Sequence, residues 1–130
     1  MLSRRSVLLA TVAVSAALVA PAFATETKNF DPQSFAAAQK EGKPILVRIH
    51  ASWCPTCKAQ DPILGELMAE PKFKNLVYFV VDFDNQKDVV KFFGVRTQST
   101  LIAFKGGTET GRSVGDTSRR SIAALLSKTL

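Results

Sequence analysis

The 130-residue sequence has only two cysteines, one histidine, one tryptophan and one tyrosine. Two cysteines make one pair at most, too few to staple a core-poor miniprotein. A single histidine, His50, cannot build a multi-histidine metal centre. Low-complexity tracts and a repeat period are also missing, which sets aside disorder and solenoid architectures. The length suits one domain and excludes two independent catalytic domains. With 46% hydrophobic and 22% charged residues, the composition is that of an ordinary globular protein. The net charge of +6 does not point to nucleic acid. Removing Arg4 and Arg5, which lie in the leader, lowers it to +4, and the remaining charges alternate in sign without a concentrated basic patch.

Residues 1–24 read as a signal peptide: Arg4 and Arg5, an uncharged run from Val7 to Ala20, then Pro21 and an A-x-A cleavage site at Ala22-Phe23-Ala24. The run is shorter than the ~20 residues needed to span a bilayer, so no permanent membrane anchor is expected. The folded domain is then 25–130. Ser3-Arg4-Arg5-Ser6-Val7-Leu8-Leu9 also resembles a twin-arginine export signal. Either route implies the periplasm, where a cysteine pair can cycle or persist as a disulfide.

Along that domain, Asp31 followed by Pro32 marks a helix start and Gly42 its stop. Pro44 to His50 reads as a buried strand ending just before Trp53-Cys54-Pro55-Thr56-Cys57. Helix is expected from Cys57 to about Ala69, with Pro62 inside it. A strand is expected over Asn75 to Asp84, a helix over Gln86 to Phe93, strands over Thr100 to Lys105 and Thr110 to Val114, and a last helix over Ser118 to Lys128. That order predicts an α/β fold with a central mixed sheet, parallel then antiparallel, flanked by helices on both faces. Phe30, Phe35, Phe73, Tyr78, Phe79, Phe83, Phe92, Phe93 and Phe104 are assigned to the core.

A Cys-x-x-Cys pair where a strand ends and a helix starts has a specific chemistry. The first sulfur faces unpaired N–H groups at the positive end of the helix, which favours its thiolate. The second lies one turn on, within reach to close a disulfide after the first has attacked a partner. Cys54 is therefore expected as an exposed, acidic nucleophile and Cys57 as a buried resolving thiol. A structural disulfide or half a zinc site are the alternatives, and zinc would need a ligand pair that the sequence lacks. His50, four residues before Cys54, is read as a strand-end histidine, with a third metal ligand as the other option. Asp82 and Asp84 are read as solvated or as counter-ions to Arg48.

W-C-P-T-C-K at Trp53 to Lys58, Pro62, G-V-R-T-Q-S-T-L at Gly94 to Leu101, and Gly115 together resemble the thioredoxin family over most of residues 28–130. The resemblance implies a thioredoxin fold and a thiol–disulfide oxidoreductase working through a redox-active Cys54–Cys57 disulfide, with no bound cofactor and no metal. It also implies a client-contact surface made by Trp53, Pro55, Thr56, Gln98, Ser99 and Thr100.

Three departures set this chain apart. The family usually has a cis-proline where Ser99 stands. We expect a trans Gln98–Ser99 bond, a Ser99 hydroxyl in contact with the Cys54 sulfur, and a Ser99→Pro variant that loses copper affinity and gains general reductase activity. Cytoplasmic thioredoxins bury an aspartate in the strand before the motif, whereas this chain has Arg48, expected to tune the thiolate by its charge. The inner pair is Pro55-Thr56. Without a histidine between the cysteines or an inserted helical domain, the expected role is reductant of protein disulfides, acting as a monomer and recharged by a membrane thiol donor. The alternatives are a copper-binding protein using Cys54, Cys57 and His50, or a redox-inert interaction domain.

Overall fold

Apolar residues at every second position of the Pro44–His50 strand send Ile45, Val47 and Ile49 to one face, and Leu46 and Arg48 to the other. Nearly everything else in the molecule is arranged around that strand. A computed structural model describes residues 12–18 and 25–130. In chain order its elements are β1 (Glu26–Asn29), α1 (Pro32–Lys40), β2 (Pro44–His50), α2 (Pro55–Met68), a 3-10 turn (Pro71–Phe73), β3 (Val77–Asp82), α3 (Lys87–Phe92), β4 (Thr100–Lys105), β5 (Thr108–Val114) and α4 (Arg119–Ser127). The sheet order is β1-β3-β2-β4-β5. Strand β3 pairs in parallel with both β1 and β2, whereas β4 runs antiparallel to β2 and β5. The mixed sheet expected from the sequence is therefore present.

Each face of the sheet carries its own core. On one, α1 and α3 supply Phe35, Ala38 and Val90, which pack with Phe30 and Phe93 on Val47, Phe79 and Ile102. On the other, Leu64 and Leu67 of α2 and Ile122, Leu125 and Leu126 of α4 cover Leu46, Tyr78 and Leu101. Helix boundaries follow local chemistry. The Asp31 carboxylate accepts from Ser34 N–H at 2.9 Å and Pro32 takes the first turn, where its missing donor costs nothing. After α1 the chain turns through Gly42 at φ +70°, a conformation that a side chain disfavours.

The sequence reading missed β1. Its E-T-K-N segment is exposed except for the half-buried Lys28, so an edge strand held only by backbone pairing carries no apolar alternation to detect. Strand β3 is shorter than expected because the Asp82 carboxylate accepts from the Asp84 and Asn85 N–H groups and starts a turn. Phe92 is not core: it is 73% exposed while Phe93 is buried, since neighbours on a helix lie about 100° apart and only one can face the sheet. Phe83 is half-buried.

The expected twin-arginine segment and cleavage site fall in residues 1–11 and 19–24, outside the described residues. Residues 12–18 form no helix or strand and are exposed. Among the described residues no helix is long and apolar enough to cross a membrane.

Phe35 meets Phe30, Phe79, Phe93 and Phe104 with ring centroids 5.3 to 5.8 Å apart. Phe35→Ala should cost about 3–5 kcal/mol in denaturant unfolding. The cysteines belong to a different cluster, so the thiol titration of the folded variant should be unchanged. A loss below about 1 kcal/mol would show that this aromatic cluster is not the anchor of its face.

Candidate functional site

Strand β2 delivers the chain to Ala51, whose carbonyl accepts from Cys54 N–H at 3.2 Å. Cys54 then occupies the N-cap of α2, its sulfur accepting from Cys57 N–H at 3.1 Å. Pro55 stands in the first turn, exposed, and Thr56 beside it is half-buried. Cys57 sits one turn along with a free thiol, as does Cys54.

Both cysteines are 0% exposed, which corrects the expectation of an exposed nucleophile. The physical reason is the cap itself: a sulfur that accepts from the first turn of its own helix points inward, where it meets Ala51, Cys57 and the half-buried Phe83. Burial pushes the Cys54 thiol up, but four groups outweigh it: the Cys57 thiol, the Ser99 hydroxyl, the Cys57 backbone N–H and the Gln98 side chain. Together they bring its pKa down to about 7.

Ser99 lies as expected in contact with the sulfur, and no described peptide bond is cis. Its hydroxyl is 3.0 Å from Cys54 Sγ and 3.1 Å from Cys57 Sγ, so one small side chain touches both sulfurs. The backbone there has φ +63°, the left-handed region, and Ser99 is the one non-glycine residue with positive φ among the described residues. Its N–H donates to Ile49 O at 2.8 Å. This geometry bears directly on the Ser99→Pro variant. Proline fixes φ near −65° and has no N–H, so it fits neither the dihedral nor the hydrogen bond.

Of the expected client surface, Trp53 is 55% exposed and its indole N–H donates to Asp84 Oδ2 at 2.8 Å. Gln98 is half-buried. Thr100 does not belong to that surface: it is buried, and its hydroxyl turns back to Thr97 O at 2.9 Å. Ser99 is likewise buried and faces the sulfurs rather than solvent.

Arg48 is buried beneath the helix. Its Nη2 donates to the Cys57 carbonyl at 2.5 Å and its Nη1 to Tyr78 Oη at 3.1 Å. The counter-ion is Asp61, whose carboxylate is 2.7 Å from Nη1, and not Asp82 at the end of β3 or Asp84 in the turn after it, both of which are exposed. Burial works against the Arg48 cation, but Tyr78 and Asp61 outweigh it and hold its pKa above the usual value. Burial pushes the Tyr78 hydroxyl up, opposed by Arg48.

His50 is half-buried, and burial followed by the Arg48 charge lowers its pKa. Among the described residues no three His, Cys, Asp or Glu side chains gather to hold a metal ion, so His50 does not join the cysteines. Sequence reasoning missed Asp61, Tyr78 and Gln60. A signal did exist for Gln60: with Cys57 and Leu64 it follows i, i+3, i+7 spacing, which puts a polar group on the buried face of α2.

Ser99→Ala should raise the Cys54 pKa above about 7, read from alkylation rate against pH. Because the folded value lies below the ordinary thiol value of about 8.5, the reactive thiolate is present above pH 7 and is lost as pH falls through 7. An unshifted midpoint in Ser99→Ala would remove the hydroxyl from the causes. Ser99→Pro should destabilise the fold by more than about 1 kcal/mol.

The thioredoxin family model matches residues 23–128. Among curated relatives, thioredoxin Asp f 29 of Aspergillus fumigatus is 34% identical over 89 residues, covering 68% of this chain and 81% of its own. A thioredoxin of Chlamydia muridarum is 38% identical over 84 residues, covering 65% of this chain and 80% of its own. Among solved structures, Trxlp of Edwardsiella tarda superposes with a TM-score of 0.75 at 40% identity, over 78% of this chain and 98% of that one. With the sheet order, the helix-capping Cys54 and the Cys57 thiol one turn along already in place, these likenesses establish that the chain belongs to the thioredoxin family and is a thiol–disulfide oxidoreductase.

Proposed function

We propose that this oxidoreductase is a periplasmic reductant of protein disulfides, recharged by a membrane thiol donor. The observation that carries the chemistry is the Cys54 sulfur, held near a pKa of about 7 with a second thiol one helical turn away. The Cys54 thiolate attacks one sulfur of a client disulfide. A Cys54–client disulfide forms, the client S–S bond breaks, and its other sulfur leaves as thiolate. Cys57, losing its proton, then attacks Cys54 Sγ and releases the second client sulfur. The protein ends as the Cys54–Cys57 disulfide, the client has gained two electrons, and its two thiols take up two protons. No bound cofactor is required. A donor dithiol runs the same steps in reverse to restore the protein.

Support for the periplasm is the leader pattern, and the membrane donor follows from that placement, since a reductant working in a compartment kept oxidising must be recharged. The direction rests on the modest acidity of Cys54: strong oxidants stabilise their thiolate far more. Trp53 and Pro55 provide the exposed apolar surface beside the motif on which a client would lie, with Thr56 and Gln98 at its edge. Arg48 acts from below. It pins the Cys57 carbonyl, and the N–H of that same residue donates to Cys54, so the guanidinium holds a donor in place as well as adding positive charge.

Equilibration against glutathione decides the direction. A potential near the thioredoxin value of about −270 mV is expected, and one near −120 mV would make the protein an oxidant. Cys57→Ser should accumulate mixed disulfides with clients in the periplasm, and failure to trap any would count against a client reductase. Arg48→Met should raise the Cys54 pKa and lower stability, because it leaves Asp61, Tyr78 and the Cys57 carbonyl without their donor. Lost stability with an unchanged titration would limit Arg48 to a structural pin.

A further inference from the structure

Ser99 is held in a conformation that its own residue type disfavours, and a buried glutamine stands behind it. Gln60 lies on α2, three residues after Cys57, and is 0% exposed. Its Nε2 donates to Ser99 O at 3.2 Å and to Asp116 O at 2.9 Å. The orientation of the amide is dictated by chemistry: both partners are carbonyl oxygens, so the NH₂ end must face them. Oε1 is consequently turned away, buried and without a hydrogen-bond partner among the described residues. Burying an acceptor with no donor is unfavourable, and so is a left-handed serine. Both costs sit at the dithiol, where an apolar side chain on the same helix face would have packed more simply.

The two carbonyls belong to separate segments. Ser99 O also accepts from Gly115 N–H at 3.1 Å, and Gly115 itself turns at φ +66°. Gln60 thus ties three pieces together: the helix that carries Cys57, the loop before β4, and the turn after β5. Ser99 has its N–H fixed to Ile49 and its carbonyl fixed to Gly115 and Gln60. With both ends of the residue held, the Cα–Cβ bond is aimed at the cysteines, and the hydroxyl completes the geometry by meeting both sulfurs.

We propose that Gln60 is a positioning residue of the dithiol, whose amide holds Ser99 in the left-handed backbone that places its hydroxyl between the Cys54 and Cys57 sulfurs. Among the described residues the hydrogen bonds of Gln60 go to Ser99 and Asp116 and to neither sulfur, so it acts through Ser99. This rests on the thiol-exchange chemistry of the pair, and it adds a determinant absent from the cysteine motif.

The test is a double-mutant cycle on the full protein with Gln60→Met, which keeps the length and removes both donors, and Ser99→Ala. The readout is the Cys54 midpoint from ultraviolet thiolate absorbance against pH, with melting temperature recorded alongside. Gln60→Met should raise the midpoint by about one pH unit, a tenfold change in the thiolate equilibrium. The double variant should shift no further than Ser99→Ala alone, because both remove the same hydroxyl contact. If Gln60→Met does not fold, Gln60→Asn keeps a polar amide one methylene short of the carbonyls and should shift the midpoint in the same direction. A lower melting temperature with an unmoved midpoint would overturn the proposal, as would additive shifts in the double variant. Insulin reduction by the unsubstituted protein is assayed separately: inactivity there would sink the reductase reading, while the titrations would still decide the role of Gln60.

Discussion

The Cys54 sulfur caps the helix that carries its partner, and the site depends on that single contact. A thiolate withdrawn from water is unfavourable unless donors replace the lost hydration. The helix supplies one as the Cys57 N–H, Cys57 supplies its thiol, and the segment before β4 supplies the Ser99 hydroxyl and the Gln98 side chain. Donors from two separated stretches of chain converge on one atom. The sheet makes this possible, because β2 and β4 are hydrogen-bonded neighbours and their ends bring residues 51–57 and 98–99 together.

A second consequence concerns the face on which α2 packs. Leu46 and Tyr78 belong to its apolar core, yet Arg48 points the same way and is buried. Its charge is balanced only because Asp61 reaches it from a half-exposed position on α2, with Tyr78 and the Cys57 carbonyl taking the remaining contacts. Buried ion pairs of this kind seldom add net stability relative to an apolar substitute. Here the guanidinium ties β2 to the Cys57 carbonyl and to Asp61 on α2. The opposite face is closed by phenylalanine rings, and among the described residues no buried ion pair lies in its core.

The sequence alone determined the fold class, most element positions and the reacting pair. Alternation in Pro44–His50, capping at Asp31-Pro32 and the Cys-x-x-Cys spacing are local signals, each readable within a few residues because it reflects backbone geometry or helix periodicity. Strand β1 escaped since an exposed edge strand needs no apolar pattern. The tertiary structure decided the rest. Which carboxylate answers Arg48 and what Gln60 holds depend on residues brought together from separate elements, whereas the burial of Cys54 and the inward turn of Thr100 rest on local contacts, with Cys57 N–H and Thr97 O, whose geometry appears only once the chain is folded. Ser99 is the clearest case. Its identity is visible in the chain, and its contact with the sulfur was expected from the resemblance, which places the family's cis-proline at this position. Its left-handed backbone is imposed by partners on β2, α2 and the turn after β5, and no property of serine itself would have announced it.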